Sequence, residues 1–305
     1  MSRAALRLMR RAVSTPTVAS WKKPIIGIIG GSEAGFNEID EDVGYVKARR
    51  TYNGSLPSSW SNSAAASDVA AGSMSYWSWK PSLTGFPNST SQKAAFSAFL
   101  DTIPAGHETV IVAWHEPEDN IVNGDFTLLE WGQLQDAVNS IVKSKNRPEI
   151  RSGMCLMGPW TFDTRSGRTN WDWENCMDWS QLDVVGIDPY RTKSGSELSF
   201  EDLLTINNSG SGTGGSMPSM MAKVASWGKP VAIMEWGAYN STEASVATFI
   251  TEAYDWMKSW NQSHNVTRIE SALWFNHTLT GSDNVLTGLG VDAYAATIAD
   301  SKISI

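Results

Sequence analysis

The chain has 305 residues, 41% hydrophobic and 18% charged, with a formal net charge of −8. That is the size of one large α/β barrel or of two ordinary domains, and it excludes a disordered chain. An acidic balance disfavours a phosphate-tracking surface, so nucleic acid is not an expected partner, and no apolar run approaches the ~20 residues of a membrane span.

Residues 1–20 carry Arg3, Arg7, Arg10 and Arg11 and no acid, the first being Glu33. This composition suits an organellar transit peptide, or a basic arm that docks on a larger assembly. It lacks the continuous apolar stretch of a secretory signal. Residues 1–22 are therefore set apart from a fold expected to span 23–305.

Short β-branched or apolar runs follow, each closed by a polar or aromatic cluster. They predict strands at Pro24–Gly30, Val46–Tyr52, Ser73–Trp79, Thr109–His115, Ile150–Met157, Val184–Asp188, Pro230–Glu235 and Ile269–Phe275. Helical spacing lies between them: Phe96, Phe99, Leu100 and Ile103; Leu134, Ala137, Val138, Ile141 and Val142; and a stripe running from Val246 to Met257. Pro218 and Gly228 punctuate a further helix over Met217–Trp227, and Asp292–Ser301 reads as the last. Eight strands alternating with helices predict a single-domain (β/α)8 TIM barrel. The spacing of Gly27, Gly30 and Gly31 is not that of a dinucleotide-binding turn. The Gly/Ser-rich run Asn207–Ser216 falls between strands six and seven, so it reads as a loop of one domain.

Two cysteines, Cys155 and Cys176, make neither a disulfide scaffold nor a zinc ribbon, and reduced thiols are the commoner outcome. The four histidines His107, His115, His264 and His277 show no metal-ligand spacing. Fifteen tryptophans are far more than a chain of this length ordinarily carries. In an acidic protein such flat apolar plates point to sugar stacking, with part of them left for the core.

Barrel active sites lie at the C-terminal strand ends. Here those ends carry Trp114-His115-Glu116-Pro117-Glu118, Asp188-Pro189-Tyr190, Glu235-Trp236-Gly237 and Trp274-Phe275-Asn276. Glu116 and Glu235 end apolar strands on opposite sides of the mouth, where an acid is costly unless used or paired. Two facing carboxylates are what glycoside hydrolysis requires, one to protonate the leaving oxygen and one to attack carbon or activate water. The competing structural reading is a pair of acids bound by Arg49, Arg50 or Lys80. Glu118 competes for the acid role, although Pro117 is expected to turn it aside. Arg50 shares an alternating face with Val46, Ala48 and Tyr52 and is expected in the barrel mouth. Trp77, Trp79, Trp160, Trp171, Trp173 and Trp236 are candidates for binding subsites, and the loop Trp160–Trp173 adds Asp163, Arg165 and Arg168 as partners for hydroxyls.

Glutamates at strands four and seven resemble the large clan of retaining barrel glycosidases. The motifs WHEPE, GIDPY, IMEWG and LWFN, with His115 before Glu116, resemble glycoside hydrolase family 26, which comprises β-mannanases and some β-glucanases and xylanases. The resemblance implies Glu116 as general acid/base and Glu235 as nucleophile. It implies that His115 bonds near the acid or to substrate, that Tyr190 donates to the nucleophile, and that Trp274 is the platform under the sugar. Glu118 and Trp236 depart from the family pattern. Trp114 would then help to keep the acid protonated, and no cofactor is needed.

The expected activity is retaining endo-hydrolysis of a β-linked polysaccharide: β-mannan first, then β-glucan, xylan or a bacterial surface polysaccharide. A catalytically silent carbohydrate-binding barrel, part of a virion or cell-surface particle, is the alternative. A polysaccharide substrate favours an extracellular or particle-associated setting.

Overall fold

A computed structural model describes residues 23–30, 33–162, 171–191, 199–205, 220–238, 242–279 and 282–302. Among these, eight parallel strands close on themselves: β1 (Ile25–Gly30), β2 (Ala48–Asn53), β3 (Met74–Trp79), β4 (Thr109–Ala113), β5 (Ile150–Leu156), β6 (Val184–Ile187), β7 (Val231–Ala238) and β8 (Ile269–Asn276). Neighbours in sequence are neighbours in the sheet, and β8 returns to β1 in register from Ile25 opposite Ser271 to Gly30 opposite Asn276. The chain is a (β/α)8 TIM barrel. A two-residue strand, Tyr190–Arg191, adds to β7 opposite Gly237 and Ala238.

The described helices are α1 (Glu33–Asp42), α2 (Ala66–Ala71), α3 (Thr90–Asp101), α4 (Glu118–Asn123), α5 (Leu128–Ser144), α6 (Phe200–Thr205), α7 (Met220–Ser226), α8 (Glu243–Ser263) and α9 (Gly288–Lys302). Helix α5 shows why these segments are helical. Thr127 caps it reciprocally with Glu130, satisfying donors that a helix start leaves open, and Trp131, Leu134, Val138 and Val142 recur on its buried face. Helix α9 fastens the closing seam: the Tyr294 hydroxyl accepts from the Trp274 amide at 3.2 Å and donates to the Gly27 carbonyl. Lys23, just before β1, pairs with Asp300 of α9 at 2.9 Å.

Strand pleating sorts the apolar residues into two layers. Ile29, Ala48, Met74, Tyr76, Val110, Val112, Cys155, Val184, Ala232, Met234, Leu273 and Phe275 pack together inside the barrel. A second and larger cluster, including Ile28, Trp77, Trp79, Ile111, Ile233, Trp236 and Trp274, lies between sheet and helices. Inside, Met234 lies over Gly153 and Gly186. A Cβ on Gly186 would stand 2.4 Å from the Met234 sulfur, so these strands carry glycine where the thioether needs room.

Two strands end two or more residues away from the sequence expectation. β4 stops at Ala113 because Trp114 and Glu116 have φ of 44° and 51°, a left-handed conformation that no pleat accommodates. β7 instead continues three residues beyond Glu235, through a bulge between Ile233 and Trp236. The expected helix over Met217–Trp227 is described from Met220 to Ser226. The arm 1–22, the Gly/Ser-rich run and the loop residues 163–170 lie outside the described residues. Cys155 and Cys176 are buried free thiols. No described helix is long and apolar enough to cross a membrane.

Candidate active site

The bulge in β7 decides where Glu235 points. Residues 231 and 233 face the helices while 232 and 234 face the interior, so simple alternation would send Glu235 outward. Three steps of β7, Ile233 to Trp236, oppose two steps of β8, Ala272 to Trp274. The extra residue turns Glu235 into the barrel mouth beside Met234, a re-aiming that bulges perform next to active sites.

There Glu235 is 7% exposed and surrounded by donors. Tyr190 donates to Oε2 at 2.6 Å, Tyr52 donates to Oε1, and Arg50 Nη1 stands 3.1 Å from Oε1. Burial, and then the Glu235 charge, push the Tyr190 phenol well above its ordinary range, so it remains a donor. Burial also raises Tyr52 well above that range, against the opposing pull of Arg50. Arg50 is itself fully buried. Burial opposes its charge, and Tyr52, Cys155, Asp188 and Glu235 more than offset that.

Glu116 approaches from the other side on a strained segment. The Trp114 amide still donates to the Trp79 carbonyl at 2.9 Å, and the Glu116 amide donates to the Cys155 carbonyl at 2.9 Å. The three residues Trp114–Glu116 thus span from β3 to β5 while two of them hold positive φ, at about 1–3 kcal/mol each. Burial, then repulsion from Glu235, pushes the Glu116 carboxyl up to about 8. At neutral pH the Glu116 carboxyl is protonated.

Asp188 completes the group. Its carboxylate accepts from Arg50 Nη1 at 3.3 Å and from the Cys155 thiol at 2.7 Å, and Arg50 Nε reaches Ser78 at 3.3 Å. Burial, then Glu235, raises the Asp188 carboxyl well above the usual range, and Arg50 opposes this. Glu116, Asp188 and Glu235 each present an oxygen within 4.8 Å of the others, donor chemistry that a divalent cation could use. The guanidinium of Arg50 already supplies a cation to two of the three.

The remaining expected site residues divide. His115 packs its ring 5.1 Å from that of Tyr52, and its Nδ1 is buried with no hydrogen-bond partner among the described residues. Burial, then Arg50 and Lys80, hold its pKa well below the ordinary value, so the ring is neutral. Trp114 is half-buried, edge-on to Phe126 with Lys80 above it at 5.6 Å. Arg50 is at the site, fully buried against Glu235 and Asp188. Trp274, Trp236 and Trp79 are not brought to the mouth. They are 1%, 1% and 3% exposed in the layer between sheet and helices, because their pleat parity points them outward. Trp274 is held there by its Nε1 donating to the Asn284 carbonyl, edge-on to Trp236 at 5.0 Å. The ring that β8 turns inward is Phe275, edge-on to Tyr190 at 6.0 Å. The side chain of Trp160 lies outside the described residues.

Glu118 is fully buried and accepts from the Met157 amide at 2.8 Å and from the Thr161 hydroxyl, bracing the segment after β5. Arg49 faces the helices and pairs with Asp68 at 3.2 Å. The sequence reading assigned no role to Tyr52, Asp188, Cys155 or Phe275. Tyr52 could have been found, since it shares the alternating face of Arg50.

No family model and no curated protein matches the sequence. Solved structures do match the fold. The catalytic domain of a Bacillus GH26 endo-β-1,4-mannanase aligns over 93% of this chain and 88% of its own, with a TM-score of 0.57 and 14% identity. A GH26 β-mannanase from Bacteroides ovatus aligns over 99% and 94%, with a TM-score of 0.57 and 12% identity. A Clostridium thermocellum GH10 endo-1,4-β-D-xylanase complexed with xylohexaose aligns over 93% and 69%, with a TM-score of 0.59 and 10% identity.

Proposed function

We propose that this chain is a retaining glycoside hydrolase acting on a β-linked polysaccharide. The observation that carries the reading is one pair of carboxyls across the barrel mouth. Glu116 is protonated at neutral pH, and Glu235 is held by Arg50 and two phenols, with an oxygen of each within 4.8 Å. Retaining glycosidases hold their two carboxyl groups about 5–5.5 Å apart, and inverting ones leave room for an intervening water.

In the first step an oxygen of Glu235 bonds to the anomeric carbon as the glycosidic C–O bond breaks. The leaving oxygen takes the proton of Glu116. In the second step water gives a proton to the Glu116 carboxylate and attacks the same carbon, releasing Glu235. Loss of the Glu235 charge in the intermediate takes one partner from the buried Arg50, and the Asp188 carboxyl remains in contact with it. Buried carboxylates are costly, and the strained path through Glu116 adds to that cost; both are accounted for by use.

β-Mannan is the first substrate of this reading, followed by β-glucan, xylan and bacterial surface polysaccharides; the mannanase and xylanase names of solved neighbours support the choice of a β-linked glycan. Endo action is proposed with them. The test is reducing-sugar release from this panel by the unaltered protein and by Glu235→Ala. Activity lost in the variant supports the reading. Release that survives in Glu235→Ala overturns the mechanism, and silence of both moves the carbohydrate-binding reading ahead.

A further inference from the structure

Resting on that reading, we propose that Oε2 of Glu235 is the attacking oxygen, and that Tyr52 is a positioning residue that keeps Oε1 out of the reaction. The two oxygens are held unequally. Among the described residues, Oε1 takes the Tyr52 hydroxyl and the Arg50 guanidinium, the latter at 3.1 Å, whereas Oε2 takes the Tyr190 hydroxyl at 2.6 Å. An oxygen that bonds to carbon gives up lone-pair density that its donors were using. For Oε2 that weakens one bond from a neutral phenol. The carboxylate charge is lost whichever oxygen attacks, but attack through Oε1 would put the ester's bridging oxygen, a poor acceptor, against a guanidinium with no access to water, whereas attack through Oε2 leaves a carbonyl oxygen there.

Tyr52 is fixed for this task from both sides. Its ring stands 5.1 Å from the His115 ring, next to the candidate acid, and 5.0 Å from the guanidinium carbon of Arg50. The phenol therefore cannot follow Glu235 if the carboxylate rotates; it defines the rotation. When the ester forms through Oε2, Oε1 becomes its carbonyl oxygen and keeps the Tyr52 hydroxyl and the close contact with Arg50. The glycosidic electron pair leaves with the aglycone oxygen, which is protonated by Glu116. Removing the Tyr52 hydroxyl leaves the carboxylate held at one point on each oxygen, by Arg50 on Oε1 and Tyr190 on Oε2, and less firmly fixed in rotation.

The test compares Tyr52→Phe with the unaltered protein on 4-nitrophenyl β-mannobioside, β-cellobioside and β-xylobioside. The ring is retained, so the melting temperature should stay within about 3 °C. The expected result is a fall in kcat of about 10- to 100-fold, one hydrogen bond to a charged group, with KM within about threefold. An unchanged kcat, or a loss carried by KM, overturns this inference alone. If the unaltered protein hydrolyses none of the three glycosides, the hydrolase reading falls and this inference with it.

Discussion

Met234 and Glu235 are consecutive in the chain, yet both face the barrel interior. A bulge opposite Ala272 and Trp274 makes this possible. Met234 fills the space over Gly153 and Gly186, and Glu235 is released to meet Tyr52, Tyr190 and Arg50. Packing and chemistry at this point are one arrangement, because the methionine anchors the strand from which the carboxylate is re-aimed.

The pH dependence follows from Glu116. A general acid must be protonated, and this carboxyl is raised to about 8 by burial and by Glu235. Activity should therefore hold at neutral pH and fall as pH rises through about 8. In Glu116→Gln, pH–rate profiles should show that limb gone, with kcat lower by about 10²–10⁴-fold. A limb near 8 that persists in the variant would assign it to another group.

Glu118→Gln separates the two neighbouring acids. Glu118 is tied to the Met157 amide and the Thr161 hydroxyl, so its loss should act on stability. Denaturant unfolding should show a cost of about 1–3 kcal/mol, with the alkaline limb of the rate profile unmoved. A displaced limb would restore Glu118 to the acid role.

Asp188→Asn removes the wholly buried carboxyl that accepts from Arg50. Arg50 then depends on Glu235 alone, and the glycosyl-enzyme intermediate leaves it without a counter-charge. Breaking such a pair costs about 3–5 kcal/mol, near the lower end here since Glu235 remains. Thermal unfolding and kcat should both fall. Wild-type kcat at a lowered melting temperature would make Asp188 purely structural.

Trp274 and Phe275 should exchange the roles expected from size alone. Trp274→Ala leaves a hole between sheet and helices and should cost about 3–5 kcal/mol. The milder Trp274→Phe should leave KM unchanged, whereas Phe275→Leu should raise it. Oligosaccharide KM values measured side by side decide the matter, and a KM effect confined to Trp274 would reverse the assignment.

Much of this was legible in the sequence for a physical reason. Apolar runs ending in acids announce parallel strands that carry polar groups to one end, which gave the barrel and placed Glu116, Asp188, Tyr190 and Glu235 at strand ends. Parity was harder. The bulge at Glu235 has no glycine or proline to mark it, so its inward turn does not follow from alternation. At β8 the larger ring drew attention to Trp274, although Leu273 and Phe275 share the inward face. The positive φ values at Trp114 and Glu116 fall on residues that rarely adopt them, and only the hydrogen bonds to Trp79 and Cys155 make that path intelligible. The donors around Glu235 come from β2 and from the segment after β6, far apart in sequence, and only closure of the barrel brings Tyr52 and Tyr190 to one carboxylate.

The most direct test of the two-glutamate account is the stereochemistry of the first product. Proton NMR of the anomeric region, recorded from the moment protein is mixed with the polysaccharide it cleaves, reads this before mutarotation blurs it. The account predicts that the β-anomer appears first, the outcome of two displacements through Glu235. First appearance of the α-anomer would mean a single displacement by water and would contradict it.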